Sequence, residues 1–409
     1  MRILVCGGGT GGHLYPALAL LEGLRRAEPH ARLVYVGSRY GLETAVMPRY
    51  PWVESYTLLI RGIARPGQRP LWFLWALLSL FLIPIALAQA LFLLLVVRPQ
   101  LIIGVGGYGA FAPLLWGVLL RIPCYLHEQN IVPGMVTKIF APWAKKVFLT
   151  YPQTARWLRA RHVLVTGLPV RPEILSARPD HQRFGLQPGM KTVLVFGGSR
   201  GSQTLTETAL AAQRALTDVQ FLIVTGERLC RNPSVPADES AVSAEGSVLK
   251  HAEKPPSVGA DPCVCPGRTV LVPYIHEMGT ALATADVVIC RAGAGTLFEL
   301  AALRKPAIVV PWPGAAGDHQ TTNARQLARL GLFSLVPEPE LSPQRLAQEI
   351  KKYSALVRQS PNITAPQHKG TALDFILREV LLDATSTLNT VALYRNRRRR
   401  HEWVGQSLL

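Results

Sequence analysis

Arg2-Ile-Leu-Val-Cys6, followed by Gly7-Gly-Gly-Thr-Gly-Gly12-His13, is the stretch whose reading decides the fold. Ile3–Cys6 is an unbroken apolar run, as expected of a short strand buried on both faces of a parallel sheet. The glycines that follow let the backbone pass close to a ligand. His13–Ala27 then takes up helical spacing, with Leu14, Leu18, Leu21 and Leu24 on one side. A strand, a glycine loop and a helix in that order offer free N–H groups and the positive end of a helix dipole to an anion.

Working outward, Arg32–Val36, Leu101–Ile103, Cys124–Leu126, Val147–Leu149 and Val163–Val165 read as further buried strands between helix-like stretches. That alternation predicts a doubly wound parallel sheet. The opening pattern then returns 190 residues later: Val5-Cys-Gly-Gly-Gly-Thr-Gly-Gly12 is matched by Val195-Phe-Gly-Gly-Ser-Arg-Gly-Ser202, identical at four of eight positions. Strands are expected again near Gln220–Val224, Val270–Tyr274, Asp286–Ile289 and Ala307–Val310. The fold class is therefore α/β, with two Rossmann-like doubly wound domains. Residues 1–168 would form the first domain, 169–190 a linker and 191–365 the second domain. Residues 228–268 read as a long mobile loop, residues 342–394 as helical, and 366–409 as a terminal helix ending in the basic run Arg395–His401.

Composition narrows the function classes. The chain has 409 residues, 49% of them apolar and 17% charged, which excludes wholesale disorder. Lys and Arg outnumber Asp and Glu by 44 to 26, a net charge of +18 that calls for an anionic partner. Residues 1–180 hold 19 basic and 7 acidic side chains. The surplus lies beside Leu71–Val97, 27 positions without a charge, which favours an anionic membrane surface over nucleic acid. Pro84 divides that segment, so the expectation is a bent helical hairpin or helix pair that partly packs on the domain and partly dips into the bilayer. The six cysteines are too few for a disulfide scaffold, and the start lacks a signal-peptide pattern; both fit a reduced, cytoplasmic setting.

Chemistry-bearing residues gather where strands end. His13 stands where loop becomes helix, as a general base or as a capping or core histidine. Gly104-Val-Gly-Gly-Tyr-Gly109 forms a second backbone-lined loop, and His127-Glu-Gln-Asn130 ends another strand. Arg291-Ala-Gly-Ala-Gly-Thr-Leu-Phe-Glu299 opens a helix suited to a pyrophosphate. Glu299 is placed to accept bonds from both hydroxyls of a ribose, or merely to complement the helix dipole. Gln320, within Asp318-His-Gln-Thr-Thr-Asn323, would bond a sugar hydroxyl. A GxGxxG match leaves an NADP enzyme open, with Ser38 and Arg39 on the 2′-phosphate, because no acid ends the second strand. No metal-ligand pattern stands out: Asp-x-Asp is absent, and Cys263-Val-Cys265 reads as free thiols. No metal and no cofactor are expected.

Together GGGTGGHLYPALA, GVGGYG, HEQN with PG close behind, LPVR, FGGSRGS, CRAGAGTLFELAA and DHQTTNA resemble, in order and spacing, the MurG family. These bacterial enzymes are UDP-N-acetylglucosamine:undecaprenyl-diphospho-muramoyl-pentapeptide N-acetylglucosaminyltransferases, which form lipid II. The resemblance runs from Ile3 to about Gly331. It implies a GT-B fold of two Rossmann-like domains facing a cleft, a C-terminal helix crossing back, and inverting transfer without a metal. It implies UDP-N-acetylglucosamine as donor and a lipid-linked acceptor, at the cytoplasmic face of the plasma membrane. By position, Thr10, Gly11 and Gly12 would approach donor sugar and acceptor diphosphate. Asn130 would bond the donor sugar; Arg171 and Ser199 would meet its diphosphate or uridine side. Ile275 would meet the uracil, and Ala294, Gly295, Thr296, Leu297, Phe298 and Glu299 would cradle α-phosphate and ribose. Gln320 would reach the N-acetylglucosamine hydroxyls. His13 would be the base, with Glu128 in reserve. The alternatives are transfer to another membrane lipid, such as diacylglycerol, and a non-catalytic UDP-sugar-binding protein.

Overall fold

The computed structural model describes residues 1–62, 72–198, 201–226, 263–265, 268–329, 331, 333–356 and 371–384. They fall into two compact units. One is Met1–Pro169 completed by a helix at residues 372–384; the other begins at Val170.

The first unit is built on β1 (Arg2–Cys6), β2 (Arg32–Ser38), β3 (Glu54–Leu58), β4 (Leu101–Gly104), β5 (Cys124–Glu128), β6 (Lys146–Leu149) and β7 (Val163–Val165). All neighbours are parallel, in the order β3-β2-β1-β4-β5-β6-β7. Chain direction across the sheet therefore reverses between β1 and β4, and their carboxyl-end loops lie side by side. In an open α/β sheet that switch point is where a ligand binds. Alternate residues of each strand face opposite layers. Ile3, Val5, Tyr35, Ile103 and Phe148 pack on the Gly11–Ala27 helix and on the helix at 372–384. Leu4, Val36, Ile102, Leu126 and Leu149 pack on the Trp72–Val97 and Phe111–Leu119 helices.

Burial anchors the C-terminal helix, and charge pins it. Ile376 and Val380 are fully buried; Lys146 Nζ lies 2.7 Å from Glu379 and 3.0 Å from Asp383. Gly23 makes room for it, since a Cβ there would stand 2.7 Å from a methyl of Leu377.

The apolar segment departs from the expected hairpin. Trp72–Val97 is one helix running through Pro84. A proline removes one helical hydrogen bond and bends the axis, but it does not oblige the chain to turn back. The stripe Leu82, Ala86, Ala90, Leu93, Leu94 and Val97 recurs at helical spacing and is buried, while the Trp116 indole donates to the Leu87 carbonyl at 2.8 Å. Gln89 Oε1 accepts from the Leu59 N–H at 2.9 Å and ties the helix to the end of β3. By length and composition Leu77–Val97 is long and apolar enough to cross a bilayer, and only 28% of its most apolar window is buried. Phe81 and Phe92 are each 71% exposed.

The second unit carries β8 (Lys191–Phe196), β9 (Val219–Val224), β10 (Cys263–Cys265), β11 (Thr269–Val272), β12 (Val287–Cys290), β13 (Ala307–Val309) and β14 (Phe333–Leu335). Their order is β10-β11-β9-β8-β12-β13-β14, parallel except for the edge strand β10. β10 lies where a long loop is expected; the rest of that loop up to residue 262, like the Arg395–His401 tail, is outside the described residues. The stretch expected as a linker is instead packed into this unit. It carries the Pro172–Ser176 helix, and Ile174, Phe184 and Leu186 are buried. Pro343–Leu356 covers one face through Leu346 and Ile350.

If the C-terminal helix belongs to the first unit's core, Ile376→Ala leaves a cavity beside the sheet and lowers stability by about 2–5 kcal/mol. Chemical denaturation followed by circular dichroism checks this. A loss under about 1 kcal/mol would place the helix outside the cooperative core.

Candidate active site

At the β1/β4 switch point the two glycine loops interlock. A Cβ on Gly107 would stand 2.1 Å from the Gly8 carbonyl oxygen, and one on Gly109 would stand 2.6 Å from that of Gly7. Gly106 and Gly107 have φ of 83° and 74°, which only glycine adopts without strain. The glycines expected to admit a ligand thus serve first to admit each other. Glu43, which no motif marks, closes the arrangement from within. Its carboxylate is buried and accepts the Gly9 N–H at 3.0 and 3.1 Å and the Ser38 N–H at 2.5 Å. The NADP reading fails here: Ser38 is fully buried, with its hydroxyl donating to the Ile60 carbonyl at 2.5 Å, and Glu43 takes the amides a phosphate would need.

Thr10 stands at the N-cap of the Gly11–Ala27 helix in extended geometry, and its side chain makes no capping hydrogen bond. Only the Thr10 hydroxyl comes within 4 Å of where a Gly12 Cβ would be, so the backbone is open on that side. His13, in the first turn, has Nδ1 at 3.0 Å from the Val105 carbonyl and 3.0 Å from Gln129 Oε1. Both are acceptors, so Nδ1 carries the proton and Nε2 holds the lone pair. Glu128, the reserve base of the sequence reading, is buried, and its oxygens accept from Asn130 N at 3.1 Å, Asn130 Nδ2 at 3.3 Å and Gly134 N at 3.0 Å. It is a turn anchor that holds Asn130 in place.

In the second unit β12 ends on Cys290, and the Ala294–Ala302 helix starts four residues later without a side-chain cap. No atom lies within 4 Å of where a Gly295 Cβ would be, so the first turn is accessible. Glu299 sits one turn in, its side chain 12% exposed. Burial pushes its carboxyl above the ordinary value, and Arg171 opposes that shift only in part. The Arg171 guanidinium is itself buried; it donates to Glu299 at 3.1 Å and to Glu173 at 2.7 Å. Arg171 therefore orients Glu299 rather than standing open to a diphosphate. Arg291, quoted in the motif but given no role, donates to the Ser202 hydroxyl at 2.9 Å and to the Val310 and Pro311 carbonyls, and pairs with Glu338. It ties together the ends of β8, β12 and β13. Gln320 Oε1 accepts the Trp312 N–H at 2.9 Å. Ile275 is buried in the turn after β11, with Ala294 and Leu297 buried and Thr296 and Phe298 part-exposed. Ser199 is outside the described residues. Among the described residues no group of three or more His, Cys, Asp or Glu is placed to hold a metal.

Comparison with known proteins agrees with this division. The glycosyltransferase family 28 N-terminal domain matches residues 3–149, and the family 28 C-terminal domain matches residues 192–372. A UDP-N-acetylglucosamine–N-acetylmuramyl-(pentapeptide) pyrophosphoryl-undecaprenol N-acetylglucosamine transferase of Desulforudis audaxviator is 35% identical over 391 residues, 92% of this chain and 98% of that one. The enzyme of the same name from Moorella thermoacetica is 35% identical over 93% of this chain and 99% of its own. The crystal structure of Acinetobacter baumannii MurG superposes with a TM-score of 0.61 at 24% identity, covering 93% of this chain and 99% of that one.

The loop interlock is testable without substrate. Gly107→Ala sets a Cβ against the Gly8 carbonyl at a positive φ, and is expected to lower stability by about 2 kcal/mol or more. Gly12→Ala, where the space is open, is expected to change it by under about 1 kcal/mol. Equal melting temperatures for the two variants would contradict the interlock.

Proposed function

The chain belongs to the family of UDP-N-acetylglucosamine–N-acetylmuramyl-(pentapeptide) pyrophosphoryl-undecaprenol N-acetylglucosamine transferases, and from that premise we propose the transfer it performs and the residues that perform it. The muramoyl 4-hydroxyl of undecaprenyl-diphospho-muramoyl-pentapeptide attacks the anomeric carbon of UDP-N-acetylglucosamine. The new glycosidic C–O bond forms as the bond from that carbon to the β-phosphate oxygen breaks, so the configuration inverts. The hydroxyl proton passes to His13 Nε2, and UDP leaves with the electron pair. The observation that carries this reading is the His13 imidazole, with Nδ1 engaged by two acceptors and Nε2 as its one basic atom.

The nucleotide belongs to the second unit. The open amides at Ala294–Thr296 meet the α-phosphate and offset the charge that grows on UDP. Glu299, held by Arg171, accepts the ribose hydroxyls, and the Ile275 backbone meets the uracil. Gln320, its oxygen anchored on Trp312, donates through Nε2 to hydroxyls of the donor sugar. In the first unit the amides of Gly11 and Gly12 with Thr10 serve the acceptor diphosphate, and Asn130 the donor sugar.

The acceptor is a lipid, and the chain works peripherally at the cytoplasmic face of the plasma membrane. Support comes from the exposed apolar side of Trp72–Val97, notably Leu77 and Phe81. A recess of about 380 Å³ lined by Arg121, Lys145, Arg161, His162 and Trp143 adds cationic surface in the same unit. Cations beside exposed apolar side chains suit anionic headgroups.

Two measurements test these roles. His13→Ala lowers kcat by about 10²–10⁴-fold, whereas Glu299→Gln mainly raises the KM for donor, by about tenfold or more; near-normal turnover without His13 would end its assignment as base. Leu77→Glu combined with Phe81→Glu reduces sedimentation with phosphatidylglycerol vesicles several-fold while turnover of a short-chain soluble acceptor persists; undiminished sedimentation would remove this helix from the membrane surface.

A further inference from the structure

His127 and Gln129 have no part in the reaction so far, yet both are buried at the end of β5, on a chain of hydrogen bonds that leads to His13. His127 Nε2 lies 3.1 Å from the Gly167 carbonyl. A carbonyl only accepts, so Nε2 carries the proton of this imidazole. Burial holds His127 neutral, lowering its pKa to about 4, so Nδ1 is a bare acceptor throughout the neutral range. Gln129 Nε2 fills it from 3.1 Å, and also reaches the carbonyls of Val105 at 2.9 Å and His127 at 3.1 Å. With its amine end surrounded by acceptors, the amide has one satisfied orientation, and Oε1 faces His13 Nδ1 at 3.0 Å. Each partner fixes the next, from the Gly167 carbonyl to the proton on His13.

We infer that Gln129, locked by His127, is a positioning residue that sets the tautomer of His13 and steadies its imidazolium after proton uptake. Loss of a buried acceptor would leave the His13 N–H sharing Val105 alone. A carboxylate in its place would face the imidazolium as a counter-charge and hold the proton more tightly. The other titratable groups packed about the two glycine loops include Tyr35, whose hydroxyl donates to the Gly7 carbonyl at 3.1 Å, Glu43, bound to the Gly9 and Ser38 amides, Tyr108 against Gly9, Tyr15 against Gly11 and the buried Cys6 at the end of β1, while Glu128 is bound in the nearby Asn130–Gly134 turn. The inference rests on reading His13 as the base, and the test keeps the two apart.

Histidine-labelled full-length protein is titrated by NMR while the pH profile of kcat is measured on the same preparation. In Gln129→Glu both the His13 titration and the acid limb of kcat are expected to move to higher pH together, by about one unit. An unmoved His13 titration overturns the positioning role. A His13 titration that moves while the acid limb stays leaves positioning intact and removes His13 as the base. Gln129→Met, similar in volume and unable to accept the bond, is expected to lower kcat about tenfold or more with little change in donor KM. Its nitrogen chemical shifts should report a weakened preference for the Nδ1–H tautomer. An unchanged tautomer and kcat in folded Gln129→Met also overturn the inference. If Gln129→Glu fails to fold, Gln129→Met and His127→Gln, which removes the Nδ1 acceptor, decide by the same two readouts.

Discussion

Two glycine loops occupy one volume at the reversal of strand order, and only a hydrogen at Gly107 and Gly109 lets them do so. Much of the first unit's site follows from this contact. The parallel register of β1 with β4 brings Cys6 beside Gly104, so the two loops leave the sheet as neighbours. Glu43 then supplies acceptors for amides turned inward, which a buried loop cannot leave unpaired. Gly106 leaves about 3.1 Å between a would-be Cβ and the His13 ring, so the imidazole packs close against this backbone with one nitrogen committed. The place of the His13 ring is thus opened by a missing side chain at Gly106 and fixed by the Val105 carbonyl and Gln129.

Charge is arranged differently in the second unit. Its two buried arginines near the Ala294–Ala302 helix are already held by carboxylates, Arg171 by Glu173 and Glu299, and Arg291 by Glu338. Removing one partner of such a pair strands a buried charge, so these ions act as braces. Among the described residues, the proposed diphosphate subsite keeps the Ala294–Ala302 helix terminus, worth about half an elementary charge. A partial charge delivered by fixed amides needs no reorganisation when the leaving group departs. On the proposed reading, the large positive surplus of the chain does not have to be spent beside the leaving group. Part of it lines the recess of Arg121, Lys145, Arg161 and His162 in the other unit.

Most strands were legible because parallel strands covered on both faces are uninterrupted apolar runs, as in Ile3–Cys6 and Phe221–Val224. Glu54–Leu58 escaped notice because it is a sheet edge whose first four residues are exposed, so its composition carries no such run. Phe333–Leu335 is too short to stand out. Pro84 suggested a reversal because a proline marks the same disruption whether a helix bends or ends. Packing against Phe111–Leu119 decided which, and that partner lies beyond local reading. His13, Glu299 and Gln320 were legible as residues in motifs at strand ends. Glu43 was not, because the glycine-loop amide it holds, that of Gly9, is 34 residues away. Arg171 was expected to meet the diphosphate or uridine side; in the structure its guanidinium pairs with Glu173, two residues on, and with Glu299, which only the fold brings near.

The second unit is inserted within the first: Met1–Pro169 precede it, and the helix at 372–384 returns to complete the earlier core. A ribosome making roughly 5–20 residues per second needs on the order of 10–40 s to make what lies between. Throughout that time the nascent first unit lacks Ile376, Leu377 and Val380, and the helix at Gly23 is without the Leu373 and Leu377 methyls that pack on it. The N-terminal half of this chain is therefore translated first and finished last, and its exposed seam is where a chaperone has longest to bind.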